Sequence, residues 1–178
     1  MKPLAPPPVK LICGVLFTNS ELLIAAKKMM VEKYGEIDFE SHAFRFDVSE
    51  YYRPEMGWPI DRLFWSFEKL INPGELAQIK IDSNAIEESL AVDGKRQVNL
   101  DVGYLDYDKI VLASAKYNWQ KIYLDLGIYA DLTLRYEKGK YFAFPWSFPD
   151  FKSGQYDLTL LRIRELFKRQ CKPGLNSG

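Results

Sequence analysis

Two apolar runs, Val9–Phe17 (VKLICGVLF) and Ile60–Ile71 (IDRLFWSFEKLI), each lead directly into a helix-start signal. Short runs rich in β-branched and aromatic residues, bounded by polar ones, read as buried strands. After the first run, Thr18 and Glu21 stand at capping-box spacing, and Leu22, Ala25, Ala26, Met29 and Met30 recur at helical intervals up to Gly35. After the second, Asn72, Pro73 and Glu75 take the N-cap, N1 and N3 positions of a helix with the stripe Leu76, Ile79, Ser83, Ile86 and Leu90. Between these units, EIDFESHAFRFDV reads as one strand with a bulge near His42. From Val98 to Tyr104 the chain alternates, with Val98, Leu100, Val102 and Tyr104 on one side and Asn99, Asp101 and Gly103 on the other. The order strand, helix, strand, strand, helix, strand predicts an α+β fold with a ferredoxin-like βαββαβ core over residues 9–104. Its sheet would be antiparallel, with both helices on one face.

The whole chain, 178 residues, fits one domain. Residues 1–8 form a Pro-rich arm, residues 105–171 an extension of hairpin and helix, and residues 172–178 a flexible tail. In the extension, Asp106 or Asp108 would cap a short helix through Ile110–Ala115, and KIYLDL is a brief strand. GIYADLTLRYEKGKYFAFPW reads as a hairpin turning at Glu137–Gly139, expected to roof the polar face of the sheet. The C-terminal helix would bury Tyr156, Leu160, Ile163 and Phe167 and leave Arg162, Arg164, Lys168 and Arg169 wet.

Charge narrows the partners. Acidic and basic residues balance at 24 each, against a surface devoted to nucleic acid or anionic lipid. No apolar run approaches the ~20 residues that span a bilayer, and Pro6, Pro7 and Pro8 break the N-terminal stretch, so no signal peptide is read. Cys13 and Cys171 are too few for a disulfide framework and are expected to be free thiols in the cytoplasm. The phosphate-binding G-x-x-x-x-G-K-[ST] pattern and the dinucleotide glycine fingerprint are missing. His42 is the only histidine and has no metal-ligand or triad context. Chemistry must rest on Asp, Glu, Lys, Arg, Tyr and Asn.

Three groupings of such residues stand out. Glu55, with Tyr51 and Tyr52, lies on a loop ahead of Arg62. Lys80, Asn84 and Glu87 share a stripe on one helix. Asn99 and Asp101 share a strand face, and so do Tyr129, Asp131, Thr133 and Arg135 on the hairpin. The alternative for each is a solvated loop, helix stripe or sheet face. Aromatic walls such as Tyr104 and Trp146, beside convergent polar groups, favour a ligand pocket.

The blocks YYRPEMG, RLFWSFEKLI, IKIDSNAIE, RQVNLDVGYLDYDKIVLASAK, KIYLDLGIYADLTL and PWSFPDF resemble, in order, an uncharacterised prokaryotic domain-of-unknown-function family. The resemblance runs from about Pro8 to Asp150, and some members carry a GTP-binding label. It implies that the polar residues of the blocks act together, Lys116 and Asp150 among them. The chain departs from the family pattern at Val102 (usually Pro), at Gln120-Lys121 (usually His-Arg) and at Asp131 (usually Glu).

The expected function is binding of a small polar or phosphorylated, nucleotide-like ligand in a cleft between sheet and hairpin. Arg62, Lys80, Lys116 and Lys121 would meet its anionic groups. Asp101, Asp131 and Glu55 would hold a divalent cation, the candidate cofactor, or move protons. If the chain is an enzyme, Asp101 and Asp131 carry the chemistry with Lys116 stabilising charge. The competing expectation is a protein-interaction or homodimerisation module.

Overall fold

The computed structural model describes residues 1–172. Among them, nine strands form one antiparallel sheet with five helices. β1 (Val9–Phe17) and β4 (Asp61–Ile71) are central, and β5 (Val98–Leu105) lies on the other side of β1. β2 (Ile37–Glu40) and β3 (Phe44–Arg45) share the outer edge of β4. β6 (Lys109–Ser114) joins β5 to β8 (Ile128–Glu137), and β7 (Ile122–Asp125) and β9 (Lys140–Ala143) both pair with β8. The order is β2-β4-β1-β5-β6-β8-β7. Residues 1–8 are exposed and carry no helix or strand. Of the expected flexible tail, residues 173–178 lie outside the described residues.

Each face of the sheet has its own cover. α1 (Ser20–Tyr34) and α3 (Leu76–Ser89) cover one face, where Leu11, Cys13, Val15, Trp65, Phe67, Leu100 and Val102 pack with Ala26, Met30, Ile79 and Ile86. The second face is covered by α4 (Pro149–Lys152) and α5 (Asp157–Gln170), not by the β8–β9 hairpin, which extends the sheet. Tyr156, Leu160, Ile163 and Phe167 of this region are buried against Ile12, Phe64, Ile110, Leu112 and Leu134. Each such apolar side chain stabilises by about 1.5–3 kcal/mol. At the other end of the second face, the segment after β3 packs Phe46, Met56 and Ile60 on Leu16, with α2 (Arg53–Met56) inside it.

Several local expectations are corrected. Asn19, not Thr18, caps α1, its Oδ1 accepting from the N–H groups of Glu21 (2.9 Å) and Leu22 (3.1 Å), while Thr18 bonds Gln97. The expected single strand around His42 is two, because Ser41 Oγ takes the Phe64 N–H at 2.9 Å and ends the regular ladder. Residues 109–114 are a strand, not a helix: Asp106 Oδ1 accepts from Asp108 N and Lys109 N, both 2.8 Å, closing a turn between β5 and β6. The capping box at Asn72 and Glu75 is present. Arg164 is buried rather than wet, its guanidinium donating to Tyr107 O and lying 3.5 Å from the Tyr136 ring. Arg135 does not share a face with Asp131, because the β6–β8 register shifts between Ile110/Leu134 and Val111/Leu132. That extra residue, Thr133, flips the alternation beyond it.

Candidate functional site

β5 and β6 pair over only three steps, Gly103↔Leu112, Tyr104↔Val111 and Leu105↔Ile110, and then part. Glycine at the vertex permits the approach: a Cβ on Gly103 would come within 2.3 Å of Val111 O. Beyond it the Val98–Val102 part of β5 pairs only with β1, and Ala113 and Ser114 pair only with β8. The open edge of β5 is satisfied by side chains from α3. Glu87 Oε1 accepts the Leu100 N–H at 2.7 Å, and Lys80 Nζ donates to Leu100 O at 2.8 Å. Those two residues lie 3.7 Å apart and stand where a neighbouring strand would. The fork so formed opens into a cavity of about 1010 Å³.

The floor of the cavity is one continuous ionic chain. Arg62, 4% exposed, donates to Asp150 Oδ2 and Asp101 Oδ2, both at 2.8 Å. Asn99 donates to Asp101 Oδ1 at 2.8 Å and accepts from Arg96 at 2.9 Å. Arg96 also meets Glu87 at 2.8 Å and grips both oxygens of Glu55 at 2.6 and 2.8 Å. Tyr156 OH adds a bond to Asp150 at 3.1 Å. Burial opposes the Arg62 charge, but Asp101 and Asp150 outweigh it and raise its pKa. Bonds from Arg96 hold Glu55 below its usual value. Burial pushes Glu87 up, against the pull of Lys80, Leu100 N–H and Arg96. Arg62 Nε is buried without an acceptor among the described residues.

The rim differs. Lys121 Nζ donates to Ser114 Oγ at 2.8 Å and Lys116 O at 3.3 Å, and sits a looser 3.5 Å from Asp131 Oδ2. Burial raises the Asp131 pKa, with Lys121 opposing. Lys116 contacts the Tyr51 hydroxyl and lies 4.6 Å from that ring's centroid, forming no ion pair among the described residues. Tyr52, Tyr117 and Phe148 complete an aromatic rim.

Ten of the thirteen residues singled out from sequence line this cavity. They are Glu55 from α2, Arg62 from β4, Lys80, Asn84 and Glu87 from α3, Asn99 and Asp101 from β5, Lys116 and Lys121 from the loop after β6, and Asp131 from β8. Three do not. Tyr104 packs among the apolar residues on the α1/α3 face. Tyr129 stacks edge-on with Tyr117 and Tyr123, beside the cavity rather than in its lining. Trp146 lies against Phe144 and donates to Leu132 O, plugging the gap between β7 and β9 on the outer edge of β8. The expected cleft between sheet and hairpin is replaced by the fork between β5 and β6, since the hairpin lies in the plane of the sheet. Arg96, the hub of the floor, is not among the residues singled out from sequence. It follows Lys95 in the segment before β5, three residues ahead of Asn99 and so out of phase with the strand's polar face, which leaves it no signal of its own in the sequence.

The sequence model of the family described as a domain of unknown function, DUF4416, matches residues 7–167. The chain belongs to the DUF4416 family. Neither a curated protein nor a solved structure matches it. Among the described residues of this DUF4416 chain, no three His, Cys, Asp or Glu side chains gather as a metal site and no helix is long and apolar enough to cross a membrane. Asp101 and Glu55, expected as cation ligands, each have both oxygens engaged by Arg or Asn.

Proposed function

We propose that the fork cavity binds a small anionic ligand of the phosphorylated, nucleotide-like class. The observation that carries this is a division among the five basic side chains that line it. Arg62, Arg96 and Lys80 are neutralised by carboxylates and hold the floor together. Lys116 and Lys121 sit side by side on one loop at the rim, with only the 3.5 Å contact to Asp131 between them and any carboxylate among the described residues. A cation buried to 9% exposure and fixed by a hydroxyl and a carbonyl is oriented before any ligand arrives. The volume suits a nucleotide-sized molecule. Tyr51, Tyr117 and Phe148 offer ring faces beside the two ammonium groups. Asp131, raised by burial, is the group positioned to exchange a proton, whereas Asp101 is a structural carboxylate of the floor.

The order β2-β4-β1-β5, with α1 and α3 on one face, supports a ferredoxin-like reading of the first hundred residues. The free thiols of Cys13 and Cys171 support a reducing cytoplasmic setting.

Thermal melting in inorganic phosphate, pyrophosphate and GTP, with and without Mg²⁺, tests the site. A ligand at a hundredfold excess over its Kd stabilises by about 2.7 kcal/mol, which raises Tm by about 5–11 °C for a chain this size. We expect pyrophosphate or GTP to do so in the wild type and to lose the effect in Lys121→Met, whose own melting stays cooperative. No shift with any of these anions at millimolar concentration, or a shift that survives Lys116→Met and Lys121→Met together, overturns the reading.

A further inference from the structure

Six large apolar residues within ten positions, Tyr117, Trp119, Ile122, Tyr123, Leu124 and Leu126, are between 38% and 74% exposed. They lie on β7 and its flanks, and β7 is the last strand of the sheet, paired on one side only. The opposite edge is guarded: β2 carries Asp38 and Glu40, paired to Lys10 and Lys27. β9 carries Lys140 beside the Lys138 turn. Between Tyr117 and Leu126 the charges are Lys121, turned into the cavity, and Asp125. An apolar edge strand is a template for another strand, and in β7, four residues long with a register shift between Tyr123 and Asp125, the regular part is Ile122 and Tyr123.

We propose that β7 is a two-fold interface at which a second copy of this chain pairs edge to edge, extending the sheet. Three observations commit the edge to a second copy. The six residues form an exposed apolar patch of the size, a few hundred Å², that marks an interaction surface, and a standard interface takes about 800 Å² from each partner. Paired antiparallel about Tyr123, the two copies bring Tyr123 against Tyr123 and Ile122 toward Leu124, while Lys121 stays turned into its own cavity and the charge left at the edge is Asp125. The two Asp125 carboxylates then stand about 13 Å apart along the ladder. Tyr117, Tyr123 and Tyr129 already form an edge-on aromatic cluster beside the edge, at centroid spacings of 5.7 and 5.5 Å, a rigid surface for a symmetric mate. This inference does not rest on the ligand reading: of the six residues only Tyr117 also lines the cavity, and the test of oligomeric state uses no ligand.

Sedimentation velocity over a concentration series is the test, with wild type, Tyr123→Lys, and Tyr123→Cys in a Cys171→Ser background. The wild type should sediment as a dimer. Tyr123→Lys, which sets two ammonium groups against each other at the axis, should abolish the dimer while leaving the circular dichroism spectrum unchanged and removing any dependence of Tm on protein concentration. Tyr123→Cys should form a disulfide-linked dimer on mild oxidation, because paired strands bring facing Cα atoms within disulfide reach, and Trp58→Cys, exposed elsewhere, should not. If Tyr123→Lys fails to fold, the cysteine pair decides alone. A wild type that stays monomeric overturns the proposal, including one that co-sediments with anionic phospholipid vesicles and so gives the patch to a lipid surface. A dimer that survives Tyr123→Lys, or a Tyr123→Cys chain that fails to cross-link, overturns it too.

Discussion

Replacing Arg62 by Met tests whether the ionic floor of the cavity is also the clasp between the two halves of the second face. Arg62 comes from β4, Asp101 from β5 and Asp150 from α4, so a single guanidinium ties three elements through two 2.8 Å charge-assisted bonds. The Arg62 and Asp150 side chains are 4% and 2% exposed. Removing the cation strands a carboxylate that keeps only the Tyr156 hydroxyl. Breaking a buried pair in this way costs about 3–5 kcal/mol, which lowers Tm by about 6–20 °C at 2–4 °C per kcal/mol. Urea unfolding followed by tryptophan fluorescence reads it, with Trp65, fully buried and bonded to Glu40, as a core reporter.

The double variant Arg62→Met/Asp150→Asn separates loss of attraction from stranding of charge. Neutralising Asp150 in the Arg62→Met background should recover about 1.5–3 kcal/mol relative to the sum of the single changes. Arg62→Lys should recover little, because one ammonium cannot reach two carboxylates in the fork geometry of a guanidinium. A cost below about 1 kcal/mol for Arg62→Met, or strict additivity with Asp150→Asn, would refute the clasp.

Gly103→Ala drives a methyl group to within 2.3 Å of Val111 O and 2.7 Å of Leu112 Cδ2 at the vertex of the fork. It should destabilise by about 1–3 kcal/mol, read from urea midpoints, and a neutral result would mean that β5 and β6 separate there at no cost. Glu87→Gln probes burial of charge. The native carboxyl holds its proton more tightly than the unfolded chain, whose value is near 4.5, so its stabilising contribution is full at low pH and is lost as pH rises through the raised native value. The stability of Glu87→Gln relative to wild type should therefore increase from pH 4 to pH 7 in urea titrations, and a difference that falls over that window would contradict the assignment.

The central strands and the α1 and α3 helices are legible in the sequence because each combines a period with a boundary signal. Val9–Phe17 and Asp61–Ile71 are short and apolar, and Gly35 and the Asn72–Glu75 box mark a helix end and a helix start. β6 reads as a helix because four of its six residues are buried and it is apolar on both faces, so it carries no period-2 signal. The fate of Arg135 is hidden by the single extra residue in β8, since a bulge reverses inside and outside without changing composition.

The site is legible to the extent that strand parity places it. Asn99 and Asp101 alternate with three fully buried apolar residues, which put their side chains on the face away from α1 and α3. Convergence with Lys80 and Glu87 cannot be read that way, because those side chains come from the helix-covered face and reach the cavity only where β6 leaves β5. The fork rests on three residues. Gly103 brings the strands together at one point, and the Lys80–Glu87 pair satisfies the Leu100 peptide beyond it, so the sheet can open there without stranding a buried backbone group. The same substitution of side chains for a strand recurs on β8, where Trp146 and Ser147 bond Leu132 O and Thr133 O between β7 and β9. A sheet interrupted twice, each time with its peptide groups satisfied by side chains, has room for a cavity in its middle and still keeps a continuous ladder from β2 to β7.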